Sequence, residues 1–166
     1  MARSAVLLVM LLLVIGCDTG ERLNRLEKEN ADLKAAVEKD QAARDFDLQA
    51  KCAKDAKTWF SENFPPDKST ILLDYTDHYS KSINACFIEV EHHTNDNTFN
   101  PKANAWGNSI SLWNVYENTQ YGSFMESHFT DFKNPPHDEV IECTVTGQKC
   151  TSLDQFNSLA SHYLSN

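Results

Sequence analysis

From residue 21 to residue 64 the chain contains no glycine and no proline, and this uninterrupted stretch constrains the fold more than any other feature. The two residue types that most readily end a helix are missing, and Pro65-Pro66 then supply a stop. Apolar residues recur at Leu23, Leu26, Leu33 and Val37, with Asn30 in the gap. Placing Leu23 at a and Leu26 at d puts Asn30 at a, Leu33 at d and Val37 at a, the 3-4 spacing of a coiled-coil seam. A single a-position asparagine is a register-specifying device in dimers. Glu21 with Arg25 and Asp40 with Arg44 are favourable i,i+4 pairs. The heptad lapses where Asp40 and Arg44 would take d and a, and a helical stripe continues through Ala42, Phe46, Ala50, Ala53 and Phe60 after a shift of register. A helix from Gly20 to Phe64 would reach about 68 Å. These residues therefore predict a stalk able to form a homodimer; the alternative is a solvated helix too short to pair.

Ahead of this segment, Arg3 precedes twelve apolar residues at 5–16, the layout of an export signal. At about 1.5 Å per residue they span roughly 18 Å, short of the ~30 Å hydrocarbon core. Val14-Ile15-Gly16-Cys17 resembles the lipobox of bacterial lipoproteins: a branched apolar residue, a small residue, then the cysteine that is acylated. That resemblance implies cleavage after residue 16, a lipid on Cys17 and a stable hold on the membrane through several acyl chains. It also implies a place in the bacterial cell envelope, facing the periplasm or the exterior. Asp18 resembles the inner-membrane retention signal of enterobacterial lipoproteins. The alternative is an ordinary signal peptide with an incidental cysteine. The sequence divides accordingly into a signal at 1–16, an anchor and stalk at 17–50, and a domain at 51–166.

The domain reads as α+β. Beyond Pro66 the pattern shortens to strand-like runs, at residues 71–76, 84–91, 110–116, 121–125 and 140–145. Residues 92–107 read as a polar loop. Ser152-Leu-Asp-Gln155 resembles a capping box opening a helix whose face is Leu153, Phe156, Leu159, Ala160 and Tyr163. The expectation is an antiparallel sheet of about five strands with helices on one face. With Cys17 assigned to lipid, Cys52, Cys86, Cys143 and Cys150 remain, and an even count in an exported chain favours two disulfides with three possible connectivities. Thr146-Gly147-Gln148 can turn the chain between Cys143 and Cys150, which pairs those two and leaves Cys52 with Cys86. A Cys₄ zinc site is the rival, but no CxxC pair is present and an oxidising compartment disfavours it.

A net charge of −9 argues against nucleic acid, whose binding needs clustered basic residues. No P-loop, GxGxxG, HExxH or CxxC motif occurs, and no cofactor is expected. Glu89, Glu91, His92, His93, Asp96 and Asn97 form the densest polar cluster. Adjacent histidines on a strand face opposite ways, which favours a solvated strand end over a metal site. His78 with Asp74 or Asp77 is the minimum for acid–base work in an exported hydrolase, but no nucleophile motif accompanies it. The aromatic residues Trp106, Trp113, Tyr116, Tyr121, Phe124 and Phe129 suggest instead an exposed binding face, centred on Trp113, Tyr116 and Tyr121, for an envelope protein. The alternative is that helices cover them. Residues 78–87, with 112–122, resemble small exported bacterial domains sharing an H-Y-x-K-x-x-N-x-C-F core and a Y-E-x-x-x-Y/G hairpin. That resemblance spans about residues 52 to 164 and implies no activity. The sequence thus predicts a membrane-anchored envelope lipoprotein, a non-catalytic binding or structural module, with the hydrolase as the alternative.

Overall fold

A computed structural model describes residues 2–95, 104–130 and 135–165, with side chains from Gly20 onward except at 104 and 105. The elements are α1 (Ala2–Asn63), β1 (Thr70–Ser80), β2 (Ala85–Asn95), β3 (Asn104–Asn114), β4 (Thr119–Thr130), β5 (His137–Val145), β6 (Gln148–Lys149) and α2 (Leu153–Leu164). The architecture is α+β, and the chain divides into two compact units, Met1–Phe46 and Asp47–Asn166.

In the first unit α1 is solvated on every described side. Leu23, Leu26, Leu33 and Val37 are all exposed, and Arg25 pairs with Glu29 at 3.8 Å and Lys34 with Glu38 at 4.0 Å. The Cys17 side chain lies outside the described residues.

In the second unit the six strands run antiparallel in chain order, β1-β2-β3-β4-β5-β6. Hairpin closure places Asn84, Asn118, Thr146 and Gly147 at positive φ. The last two form the two-residue turn between β5 and β6, where a type I′ geometry demands that conformation. The sheet has one more strand than expected, because Gln148 and Lys149 fold back to pair with Val145 and Thr144. The strands are also longer than their apolar patterns: β1 continues to Ser80, and β2 and β3 run through much of the segment read as a loop.

Helices lie on both faces of the sheet rather than one, and β2 shows why. Cys86, Ile88 and Val90 cluster with Cys52, Ala56 and Trp59 of α1, whereas Ala85 and Phe87 cluster with Phe156 and Ala160 of α2. Successive strand residues point to opposite faces, so the consecutive burial of residues 85–88 requires cover on both sides. On the α2 side Leu112, Phe124 and Val145 complete the core. The Ser152 hydroxyl caps α2 by accepting from the Gln155 amide at 3.3 Å, while Gln155 Oε1 accepts from the Thr151 amide at 2.9 Å. Both expected disulfides form. Cys52–Cys86 ties α1 to β2 with Cα atoms 5.3 Å apart, and Cys143–Cys150 ties β5 to the entry of α2 at 4.9 Å.

Candidate binding site

The residues nominated for acid–base chemistry are separated by the pleat of β1. His78 stands opposite Phe87, on the α2 face. Its Nε2 is buried without a hydrogen-bond partner among the described residues. Asp77 stands opposite Ile88 on the α1 face, where Gln49 Nε2 donates to its carboxylate at 3.2 Å. Asp74 shares the His78 face four residues along the strand, roughly 13 Å away at the usual rise, and its carboxylate accepts from the Tyr75 amide. Neither carboxylate is within the reach that proton transfer requires. Ser80 is fully buried, with its hydroxyl 3.2 Å from that of Ser82.

The nominated aromatic residues are also dispersed. Trp113 is half-buried beneath α1, its ring 5.4 Å from Trp59 and 6.4 Å from Phe64. Tyr116 is exposed in the β3–β4 turn, with the Lys51 ammonium 4.4 Å from its ring centroid. Tyr121 packs on the other face, 5.2 Å from Phe87 and 5.3 Å from Tyr163, and its hydroxyl donates to Glu117 at 3.2 Å. No common face joins the three.

Among the described residues of the second unit, one end of the sheet is covered neither by α2 nor by residues 47–63 of α1. On its α2 face, imidazole and indole rings stand side by side across three strands. His93 of β2 lies 6.3 Å from Trp106 of β3, nearly parallel at 19°, and Trp106 lies 3.7 Å from His128 of β4 at 28°. Each histidine carries a carboxylate partner: Glu91 Oε1 is 2.7 Å from His93 Nε2, and Asp138 pairs with His128 Nδ1. Asn108 stands between His93 and Glu126 in register, its Oδ1 buried without a partner among the described residues. Nearer the core, burial pushes the carboxyl of Glu89 above its ordinary range, and the charge of Glu91 adds to the shift. Among the described residues no group of three His, Cys, Asp or Glu side chains is placed to hold a metal. Asp96 and Asn97 lie outside the described residues.

The opposite face of the same end is a groove of about 580 Å³, within the size range of ligand clefts, bounded by His92, Gly107, Met125, Ser127, Phe129 and Ile141 among others. Small residues make the depression: Gly107, Ser109 and Ser127 form the floor, and the larger side chains of β4 and β5 rise beside it. A Cβ at Gly107 would come within 3.2 Å of Thr94 Oγ1, so the floor tolerates little more. Met125 and Ile141 are exposed. Glu142 and Glu139, opposite Met125 and Ser127 in register, give the β5 side an acidic margin. The sequence marks Trp106 and Phe129 among the aromatic residues but gives no sign of His128 and Asp138, which only the cross-strand register brings beside Trp106, or of Met125, which register places on the opposite face beside Ser109. No protein-family model, curated protein or solved structure matches the chain.

Proposed function

We propose that this chain is a bacterial envelope lipoprotein. In this reading residues 1–16 direct export, Cys17 carries the lipid, and residues 51–166 form a non-catalytic module facing the periplasm or the exterior. The observation that carries it is the pairing of all four cysteines beyond Cys17 into two disulfides, which fits an oxidising compartment, downstream of a lipobox-like Val14-Ile15-Gly16-Cys17. Among the described residues no helix is long and apolar enough to cross a membrane. A binding role is favoured over hydrolysis because neither Asp74 nor Asp77 is placed to exchange a proton with His78, whereas the far end of the sheet offers, among the described residues, an apolar groove with an acidic margin. The partner that suits it is an envelope protein presenting an apolar segment flanked by basic residues.

Intact-mass spectrometry of the protein purified from membranes, before and after reduction with alkylation, tests the reading. A mass equal to residues 17–166 plus acyl chains, with four thiols appearing only on reduction, is expected. Cleavage without lipid, or thiols free from the start, would overturn it. Binding is tested by Met125→Asp, which should abolish capture of the envelope partner while leaving the thermal midpoint of the exposed-site variant close to that of the parent chain.

A further inference from the structure

We infer that the first unit pairs with a second copy of itself, parallel and in register, along the seam Leu23, Leu26, Asn30, Leu33 and Val37. The inference deepens the lipoprotein reading and rests on it for the sense of the pairing. The four apolar side chains of the seam are between 51% and 66% exposed, so the described chain leaves the whole stripe uncovered. What selects a second copy as the occupant is the charge beside it. With Leu23 at a, the g positions are Arg22 and Glu29 and the e positions are Glu27 and Lys34. In a parallel, in-register pair each g residue faces the following e residue of the other helix. Arg22 would meet the partner's Glu27 and Glu29 would meet the partner's Lys34, each twice by symmetry, and every one of these contacts is between opposite charges. Within one helix Glu29 and Lys34 are engaged only in long, exposed pairs with Arg25 and Glu38, which leaves them free to turn across an interface.

Asn30 points the same way. In a parallel dimer like positions face each other, so the two Asn30 amides can hydrogen-bond together. In an antiparallel pair a faces d, and each Asn30 would be buried against leucine without a partner, at a cost of roughly 1–3 kcal/mol. Of the three a residues, Asn30 and Val37, with leucine at both d positions, also favour two strands over three or four. Five seam residues span only about two heptads, too short for firm pairing by freely diffusing chains. Two lipids in one leaflet would set both amino termini at the same surface and raise the effective concentration, so pairing is expected on membranes and weak in the lipid-free protein.

The test uses the full chain in the membranes of a lipoprotein-processing bacterium, with single added cysteines at the a position (Val37→Cys) and the outward f position (Ala35→Cys). Mild oxidation should give a disulfide dimer from Val37→Cys and none from Ala35→Cys. Adding Glu29→Lys to Val37→Cys should reduce the dimer, and adding Lys34→Glu as well should restore it. The double change leaves both intrahelical pairs like-charged, so rescue can come only from across the interface. Equal cross-linking at 35 and 37, or a loss that Lys34→Glu does not restore, would overturn the inference. Intact mass on the same membranes reports the anchor separately. If Cys17 is unacylated the lipoprotein reading fails, and the same Val37/Ala35 comparison on concentrated purified protein then decides the pairing.

Discussion

The two parts of α1 share a secondary structure and little else. Before Phe46, itself 74% exposed, the helix turns leucine and valine to solvent; beyond it, Cys52 and Ala56 are fully buried and Trp59 is 8% exposed. From residue 21 onward both parts are free of glycine and proline, so propensity does not distinguish them. What differs is what each apolar stripe has to cover. The later stripe meets β2, where Cys86, Ile88 and Val90 receive it, and its spacing is set by a sheet. The earlier stripe has the 3-4 spacing of a seam and the described chain offers it nothing. Helical form in this protein is thus a shared solution to two different burial problems.

The sharpest way to break the contrast is Trp59→Ala. Trp59 packs on Trp113 and Phe64, and its indole N–H donates to Asn118 at 2.9 Å. Truncation is expected to cost about 3–5 kcal/mol, read as a fall in the chemical-denaturation midpoint. Replacing Cys52 and Cys86 by serine should cost roughly 3.8 kcal/mol by the loop-entropy model, against roughly 2.5 kcal/mol for Cys143 and Cys150. The longer loop, with a separation of 34 residues rather than 7, makes the difference. Reversal of that order in urea titrations would show that strain outweighs chain entropy.

A smaller effect contrasts the units by pH. The second unit holds the half-buried Glu89, whose carboxyl burial raises from 4.5. The folded chain therefore binds that proton more tightly than the unfolded one. Its contribution is fully present below pH 4.5 and is lost as the pH rises through the higher folded value. Glu89→Gln removes this loss, so the stability of the variant relative to the parent should rise with pH across that window; a constant difference would refute the assignment. Smallest of all, Leu33→Ala should change the denaturation midpoint of the lipid-free protein by no more than about 0.5 kcal/mol, as for an exposed site. The same change should abolish the membrane-borne cross-link at position 37.

How much was legible in the sequence followed burial. Uninterrupted residues 21–64, the capping box at Ser152 and the turn between Cys143 and Cys150 all announced elements that the structure contains. The cover on both faces is written in Ala85-Cys86-Phe87-Ile88, a run with no polar alternation, although apolar and polar residues do alternate farther along β2. The distal strand ends were illegible for a physical reason. A strand betrays itself by a period-two pattern only where one face is buried, and His92, His93, Asn108 and Ser109 project beyond both helices. Their polar character resembles that of a loop although their backbones are paired. For the same reason the His93–Trp106–His128 row could not be assembled, since its members are neighbours by register across three strands and not by sequence.

The Cys52–Cys86 bond has a mechanical meaning as well as a thermodynamic one. A pull arriving along the helix from the amino-terminal side would cross that covalent link and enter the sheet at Cys86, on a strand flanked by β1 and β3. Residues 53–85, with the whole of the edge strand β1, lie in the closed loop and would carry none of the tension. For a chain pulled from its amino-terminal side, the bond would therefore let the load bypass the edge strand and enter the sheet at an interior one.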